Sequence, residues 1–340
     1  MDQIIRDSAR VKRSEPPASG AEGGRGHVLV IYNPIAGQRR YALFSSVIER
    51  LKAHGVEVTV LETGARGDAE AFARHARQHS LMKAANAPDA VVAAGGDGTI
   101  NEVVNGMSGG ELPLAILPLG TANVLAAEIG LKVKAEAIAD TIWRGPAIDA
   151  HTGDVNGHRF TLMAGVGLDA DVVANVNTRV KARLGKGAYA LTTLSELVSY
   201  KPHYYRVAIN GHTYKAASVV VAKAHYYGGT FICAPDARLD AQILHVCLFE
   251  RAGRWNAVRY AANMMMGRLP TTAGYRIIQT RSVSIWAEEG AYSGDPVQAD
   301  GDIVTNLPAS ISLPSQPLKL VVPRGAGLQR PLSSDQFSSA

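Results

Sequence analysis

Hydrophobic and polar positions along residues 27–146 follow a repeating order of short apolar runs and longer amphipathic segments. The apolar runs are HVLVIY, VEVTVL, DAVVAA and PLAIL, and each has the length of a buried strand. The segments between them have helical periodicity, and the first carries apolar residues on one face at Leu43, Val47, Ile48 and Leu51. Fully apolar strands alternating with helices predict a Rossmann-like α/β domain whose parallel sheet is covered on both faces.

The pattern changes after residue 146 to short strands that are joined by glycine and asparagine turns. YRVAIN, SVVVAKAH, LHVCLFE, SVSIWAE and LKLVVP resemble strands, whereas KGAYALTTLSELVSY and residues 255–266 have helical periodicity. Mostly strands at short spacing predict an antiparallel sandwich or open barrel with a few helices. We therefore expect an α/β domain over residues 27–146 and a β-rich domain over residues 147–325. A disordered arm over residues 1–26 and a flexible tail over residues 326–340 would flank them.

Composition argues against several classes of protein. No apolar run approaches the ~20 residues of a membrane span, and the N-terminal segment lacks the apolar core of a secretory signal. The net charge of +5 is modest and no stripe of interleaved basic and aromatic residues occurs, so we expect no nucleic-acid partner. Cys233 and Cys247 lack metal-ligand spacing and fit core positions in a reducing cytosol.

Small and polar residues follow each predicted strand of the first domain, at the carboxyl edge where parallel sheets bind ligands. Glycine permits a tight turn and a close backbone approach, and the N-terminus of a following helix favours an anion. One such turn has a purely structural explanation, but four at one sheet edge predict a nucleotide phosphate site. The residues concerned are Asn33, Gly37, Thr63, Gly95, Gly96, Asp97, Gly98, Thr99, Ile100, Asn101, Gly120, Thr121 and Asn123.

Asp97 adds a requirement to this site. A carboxylate beside a phosphate would repel it, so we expect a cation between them, and Mg²⁺ is the usual one. The site is not a P-loop, because G-x-x-x-x-G-K-[ST] is absent from the sequence. Nor does a G-x-G-x-x-G fingerprint for dinucleotides open the first helix after a strand.

Three segments of the first domain, NPIAG, GGDGTINEVVNGM and PLGTANVLAAEIGL, resemble in order and spacing the diacylglycerol kinase catalytic family. That family includes bacterial lipid kinases, sphingosine kinases and ceramide kinases. In the second half, PDARLDAQILHV resembles a metal-binding turn of the bacterial members and VQADGDIV resembles the family's DGE segment. The resemblance spans residues 27–325 and implies a phosphofructokinase-like first domain. It also implies ATP- and Mg²⁺-dependent phosphorylation of the primary hydroxyl of a diacylglycerol, ceramide or sphingoid lipid.

The resemblance implies roles for individual residues as well. The loop residues named above would bind ATP, with Asn33 and Gly37 shaping its pocket. Asp302 would take the proton from the lipid hydroxyl, while Asp300 and Asp97 would help to hold the metal and the base in place. A structural Mg²⁺ would be held by the Asp240 carboxylate and the backbone carbonyls of Ala237 and Gln242.

Three positions depart from the family pattern. Asp302 stands where the family has a glutamate, and its carboxylate can act as a base if it lies about 1 Å closer to the substrate. Val124 replaces an aspartate that many bacterial members link to the catalytic metal. Ala241 replaces the glycine usual after the metal aspartate, which bears on the structural Mg²⁺.

The implied substrate places the protein in the cytoplasm, transiently at the inner membrane surface. Candidates for membrane contact are the basic run from Arg179 to Lys186 and the three methionines Met264, Met265 and Met266. Two other interpretations stay open: another GGDGT-type kinase that uses NAD or a sugar phosphate, and a non-catalytic lipid- or nucleotide-binding regulator. The sequence is compatible with a homodimer. It does not identify which lipid is phosphorylated.

Overall fold

The computed structural model describes residues 24–37, 40–84, 86–167, 170, 203–229, 231–288 and 294–325. The helix predicted over KGAYALTTLSELVSY and the basic run from Arg179 to Lys186 lie outside the described residues, as do residues 1–23 and 326–340. Within the described ranges, no helix is long and apolar enough to cross a membrane.

The four strands predicted for the first domain form one parallel sheet. They are β1 (His27–Tyr32), β2 (Glu57–Glu62), β3 (Ala90–Gly95) and β4 (Leu114–Pro118), and they pair in the order β2-β1-β3-β4. The helices described around them are α1 (Pro34–Gly37), α2 (Tyr41–Ala53), α3 (Asp68–Leu81), α4 (Asp97–Gly106), α5 (Val124–Glu128) and α6 (Ala135–Arg144). Every side chain of residues 90–94 in β3 is buried, so both faces of the sheet are covered. The predicted α/β class is confirmed.

This sheet is wider than the sequence indicates. β20 (Leu318–Val321) pairs in parallel with β4, and β5 (Ala147–Ala150) pairs antiparallel with β20. Both strands lie beyond residue 146, and the LKLVVP strand was expected in the second domain. Pairing between Leu114 and Leu320 joins segments far apart in sequence, and such pairing leaves no signal in local periodicity. The end of the chain therefore returns to the first sheet.

The second half forms a sandwich of two six-stranded sheets, ordered β10-β9-β16-β19-β6-β7 and β15-β14-β11-β8-β17-β18. Their strands are β6 (Gly153–Val155), β7 (His158–Phe160), β8 (Met163–Val166), β9 (Tyr205–Ile209), β10 (His212–Ala216), β11 (Ser218–Ala222), β14 (Leu244–Phe249), β15 (Tyr275–Thr280), β16 (Ser282–Ala287), β17 (Pro296–Ala299), β18 (Asp302–Asn306) and β19 (Ala309–Ser312). A hairpin of β12 (Tyr226–Tyr227) and β13 (Phe231–Ile232) and the helix α7 (Arg254–Met265) complete the described part. Inward-facing residues such as Val207, Val246 and Ile311 form the core between the sheets. The predicted antiparallel sandwich is confirmed.

The two halves share one apolar core at their junction. Leu125 of α5 and Ile129 belong to the same buried cluster as Cys233 and Leu239 of the second half. Cys233 and Cys247 are both buried free thiols, as the sequence predicts. The carboxyl ends of β1, β3 and β4 open beside this junction, so the loops singled out in the sequence lie where the two halves meet.

Candidate active site

The loops after β3 and β4 touch each other at glycine residues. A Cβ atom placed on Gly120 would lie 2.7 Å from the Cα atom of Gly96, and one placed on Gly95 would lie 2.6 Å from the Thr99 side chain. The backbone N–H of Leu119 donates to the Gly95 carbonyl at 2.8 Å. Since only glycine permits this approach, the two loops form one continuous backbone surface at the N-terminus of α4, the kind of surface that binds phosphate.

Asp97 fastens these two loops together. Its Oδ2 accepts the backbone N–H of Asn123 at 3.0 Å and its Oδ1 accepts that of Val124 at 2.9 Å. These are donors that the start of α5 would otherwise leave unpaired. Burial raises the pKa of Asp97, the two N–H donors lower it, and the nearby charge of Asp300 raises it. The sequence predicts a cation beside this carboxylate, and in the structure backbone N–H groups are already in contact with it.

The loops after β1 and β2 complete the edge. Asn33 Nδ2 donates to Thr99 Oγ1 at 3.0 Å, and Asn33 Oδ1 accepts the backbone N–H groups of Ile35 and Ala36 at the start of α1, which ends at Gly37. The Thr63 N–H donates to the Tyr32 carbonyl at 2.9 Å, which continues the pairing of β1 and β2 into the loop. The structure thus brings the predicted residues of all four loops to one edge. Two members of the predicted set differ in their exposure: the Thr121 side chain is exposed, whereas the Ile100 side chain is buried in the core.

Asn101 faces the second domain rather than the open edge of the loops. Its Nδ2 donates to the Arg159 carbonyl and to Asp300 Oδ2, both at 3.0 Å, and its Oδ1 lies 2.9 Å from His158 Nε2. Asn105, one turn further along α4, accepts the Arg159 N–H at 2.9 Å. These contacts attach the helix of the glycine-rich loop to β7.

Asp300 holds the same junction from the other side. Besides Asn101, Asp300 Oδ2 accepts the backbone N–H of Thr161 at 2.7 Å and its hydroxyl at 2.9 Å. Oδ1 accepts the N–H groups of Leu162 and Met163 at 2.8 and 3.1 Å. Five donors surround the carboxylate, so Asp300 acts as a positioning residue for the hairpin that carries Asp302.

Asp302 reaches the glycine-rich loop across the junction. A Cβ atom placed on Gly98 would lie 3.5 Å from Asp302 Oδ2. The side chain is 45% exposed, and its described ionic neighbour is Arg66, whose Nη2 lies 3.8 Å from Oδ2. An accessible carboxylate beside a phosphate-binding loop is placed as a general base requires.

Two arginines that the sequence did not predict lie near the loops. Arg66 lies in the loop after β2, and Arg40, at the start of α2, donates from Nη1 to the Pro118 carbonyl at 3.3 Å, at the end of β4. Each lies two or three residues after a glycine, Gly64 or Gly37, in TGARGD and NPIAGQRR. A basic residue shortly after a glycine at the carboxyl edge of a parallel sheet is a signal that could have identified them.

Glu128 forms a further link between α5 and the second domain. Its side chain is buried, and its Oε1 lies 2.9 Å from His225 Nδ1. Oε2 accepts the backbone N–H of Tyr226 at 3.3 Å. His225 is therefore tied to α5, the helix that follows the loop after β4.

The turn expected to hold a structural Mg²⁺ is occupied by cationic side chains of the protein. Arg238 pairs with Asp240 through both carboxylate oxygens and thereby lowers the pKa of Asp240. The buried Lys223 donates to the carbonyls of Arg238 and Leu239, and burial lowers its pKa to about 8. Ala237 is buried, and Gln242 Oε1 lies 3.4 Å from Arg281 Nη1. These residues do not fit a divalent cation.

The phosphate loops, by contrast, fit a nucleotide with its metal. Asn123 Oδ1 is buried without a hydrogen-bond partner in the described structure, and a Cβ atom on Gly120 would lie 3.1 Å from it. An acceptor of this kind needs a donor or a cation from a ligand. No group of three or more His, Cys, Asp or Glu that could hold a metal occurs among the described residues, so a metal here would depend on oxygens of the nucleotide.

Known proteins resemble both halves of the chain. Residues 27–155 match the model of the diacylglycerol kinase catalytic domain, and residues 163–322 match that of the YegS C-terminal NAD kinase beta sandwich-like domain. The diacylglycerol kinase of Bacillus subtilis is 30% identical over 244 residues, which cover 70% of this chain and 78% of that one. The diacylglycerol kinase of Mycobacterium tuberculosis is 29% identical over 310 residues, with 88% and 96% covered.

A solved structure shows the same fold. The crystal structure of a diacylglycerol kinase from Bacillus anthracis superposes with a TM-score of 0.71 at 22% identity, and the match covers 89% of this chain and 99% of that one. The α/β domain and the sandwich are thus found together in both proteins. The identity to the Bacillus subtilis relative and the matches over both halves show that this chain belongs to the diacylglycerol kinase catalytic family, whose members are phosphotransferases with an alcohol acceptor.

Proposed function

We propose that this protein is an ATP- and Mg²⁺-dependent lipid kinase that phosphorylates the primary hydroxyl of a diacylglycerol-type lipid. The observation that carries the proposal is the position of Asp302, an accessible carboxylate set against Gly98 of the phosphate-binding loop. Transfer of a phosphoryl group to an alcohol needs a base within hydrogen-bond reach of the attacking hydroxyl. The names of the relatives support diacylglycerol as the first lipid to test.

The nucleotide would lie along the loops after β3 and β4, with its phosphates facing the backbone of Gly96, Gly98 and Gly120. When bound, Mg²⁺ would neutralise charge on the phosphate oxygens, and the side-chain oxygens of Asp97 and Asn123 would hold it. The fixed backbone of these loops and the N-terminus of α4 supply positioning and positive potential, which phosphoryl transfer requires more than covalent chemistry.

The residues of this chain then act on the acceptor. Asp302 takes the proton from the lipid hydroxyl as the hydroxyl oxygen attacks the terminal phosphorus of ATP. The bond from that phosphorus to the bridging oxygen breaks, and ADP leaves. Arg66, 3.8 Å from Asp302, brings a positive charge to the place where the transferred group passes. Asp300 holds the hairpin that carries Asp302 in place. The lipid enters between the domains from the inner surface of a membrane, where the protein docks transiently.

The test is transfer of radiolabelled phosphate from ATP to diacylglycerol, ceramide and a sphingoid base in mixed micelles. The wild type is compared with Asp302→Asn and with the control Asp140→Asn, whose side chain in α6 is 43% exposed against 45% for Asp302. We expect transfer to diacylglycerol by the wild type and the control, and a loss of at least about 100-fold in Asp302→Asn. Tight ATP binding without transfer to any lipid would favour a regulator instead, and activity that survives in Asp302→Asn would exclude Asp302 as the base.

A further inference from the structure

Helix α7 carries an apolar strip on its outer face. Trp255 is 88% exposed, and Val258, Met265 and Met266 are exposed on the same side, because positions 3, 10 and 11 residues apart lie on one arc of a helix. The opposite side, at Ala257 and Tyr260, is buried against the protein. The exposed Phe231 of β13, which packs beside α7, extends the strip. We call these exposed residues of α7 and β13 the α7 face.

The chain around the α7 face is strongly basic. Residues 251–287 contain six arginines and no lysine, aspartate or glutamate. Arg251 and Arg254 are exposed near the N-terminus of α7, and Arg268 is exposed just beyond its C-terminus. The face is therefore an apolar strip with cationic groups at both ends.

We propose that the α7 face docks on an anionic lipid bilayer, with Trp255 and the methionines at the acyl boundary and the arginines on lipid phosphates. An amphipathic helix with basic flanks lies in the plane of such an interface, and tryptophan prefers that depth. A second copy of this chain would bring like charges together, so it suits the face less well. The proposal rests on the proposed function in one respect, because a lipid kinase must meet its substrate at a membrane.

The α7 face is connected to the phosphate loops. β13, beside α7, pairs with β12, and β12 packs against α5, the helix that begins directly after Asn123. Tyr226 of β12 donates its N–H to the buried Glu128 of α5. Docking at this face would therefore hold the bilayer on the side of the molecule where the two domains meet.

Vesicle sedimentation tests the proposal without any need for catalysis. Wild type, Trp255→Ser/Met265→Ser and Arg254→Gln/Arg268→Gln are mixed with phosphatidylglycerol–phosphatidylcholine vesicles and with phosphatidylcholine vesicles. Met82→Ser is the matched control, because Met82 is 78% exposed at the end of α3 in the first domain. Phosphorylation of a short-chain, water-soluble diacylglycerol by each variant reports separately on the kinase.

We expect the wild type and Met82→Ser to bind the anionic vesicles at low salt, and the Trp255 and Met265 variant to bind at least about tenfold more weakly. The arginine variant should lose the preference for anionic vesicles and its dependence on salt. Equal vesicle binding by all variants would overturn the proposal. A wild-type dimer that dissociates in Trp255→Ser/Met265→Ser would also overturn it and assign the face to a second copy. Vesicle binding that depends on the face, without phosphorylation of any lipid, would support the docking face and refute the proposed function.

A different observation concerns the turn of residues 234–242. Lys223 is 0% exposed, and its Nζ donates to the carbonyls of Arg238 and Leu239, to the latter at 3.4 Å. Arg238 Nε and Nη2 donate to Asp240 Oδ1 and Oδ2 at 2.9 and 2.7 Å. The carbonyls and the carboxylate of this turn thus face two cations that belong to the chain.

We infer that Lys223 and Arg238 stabilise this turn in place of a structural Mg²⁺. A divalent ion at Asp240 would have to displace Arg238, and the charge of the nearby buried ammonium of Lys223 would repel it. Two carbonyls of the turn already accept hydrogen bonds from Lys223. An ion held by the Ala237 and Gln242 carbonyls and Asp240 would therefore compete with two cations of the chain.

Thermal unfolding without nucleotide tests this inference. The unfolding temperature of the wild type should be the same in Mg²⁺ and in EDTA. The unfolding temperature of Asp240→Asn should likewise not depend on Mg²⁺. Lys223→Met should unfold several degrees lower, because buried carbonyls lose their donor, and Mg²⁺ should not restore it. A rise in the wild-type midpoint with Mg²⁺ that is absent in Asp240→Asn would overturn the inference, even if Lys223→Met cannot be purified. A Lys223→Met variant as stable as the wild type would overturn it too.

Discussion

Replacing Asp300 with asparagine should destabilise the domain junction although the side chain keeps its shape. Asp300 Oδ1 accepts two backbone N–H groups, and Oδ2 accepts three donors. Whichever way the asparagine amide is turned, its NH₂ group faces at least two donors that have lost their acceptor. Each unsatisfied buried donor costs about 1–3 kcal/mol, so the free energy of unfolding should fall by about 2–6 kcal/mol. The backbone adds nothing, because asparagine tolerates the φ of +48° at this position.

Urea unfolding of wild type, Asp300→Asn and Asp302→Asn measures the effect. Asp302 lies two residues away in the same hairpin but is 45% exposed, and its described ionic neighbour, Arg66, is 3.8 Å distant. Its replacement should change stability by no more than about 0.5 kcal/mol while it abolishes transfer. If Asp300→Asn unfolds at the same urea concentration as the wild type, the claim that unsatisfied donors around residue 300 destabilise the protein is refuted. If both variants were destabilised equally, the distinction between Asp300 as a positioning residue and Asp302 as the proposed base would be refuted.

Three other expectations follow from individual contacts. Gly120→Ala should lower the stability of the nucleotide-free protein by about 1–3 kcal/mol, because its Cβ would lie 2.7 Å from Gly96 Cα. Gly96→Ala places its Cβ 3.5 Å from Gly120 Cα, and urea unfolding should show a smaller loss. Asp302→Glu should lower the transfer rate, measured with saturating ATP, because the longer side chain reaches past its present position beside Gly98. Burial lowers the pKa of His245 from its usual 6.5. The unfolded state therefore binds a proton more readily, and the free energy of unfolding should decline as the pH falls below 6.5. His245→Gln should flatten this decline in urea midpoints measured between neutral and mildly acidic pH.

Local pattern was sufficient for most of the fold. Strands β3 and β4 are buried on both faces and therefore read as uninterrupted apolar runs, and Gly120, after β4, marks a turn where a Cβ atom would clash with Gly96. Pairing of β20 with β4 and β5 was not predictable in this way. An apolar run such as LKLVVP shows that a strand is buried but contains nothing about its partner.

The candidate site shows the same division. The sequence singled out the loop residues because their residue types are unusual at strand ends, and it singled out Asp302 through the resemblance of VQADGDIV to the family's DGE segment. It did not show that the side chains of Asn101 and Asp300 meet each other, since that contact joins residues of different domains. It also did not show that Lys223 lies beside the turn of Asp240, because Lys223 follows β11 and the two segments meet only when the sandwich has formed.

The hairpin between β17 and β18 would allow an aspartate to serve as the proposed base where the family has a glutamate. Asp300 and Gly301 have φ values of +48° and +89°, so the hairpin turns within two residues and Asp302 is the first residue of β18. The five donors around Asp300 fix this turn against β8 and α4, so the position of the Asp302 backbone is determined from outside the cleft. Gly98 has no side chain to hold the carboxylate away, and the short side chain has fewer rotamers to lose when it is held in place. The length of the Asp302 side chain, the proposed base, is therefore matched to the turn and to the glycine opposite it, and it cannot be judged from position 302 alone.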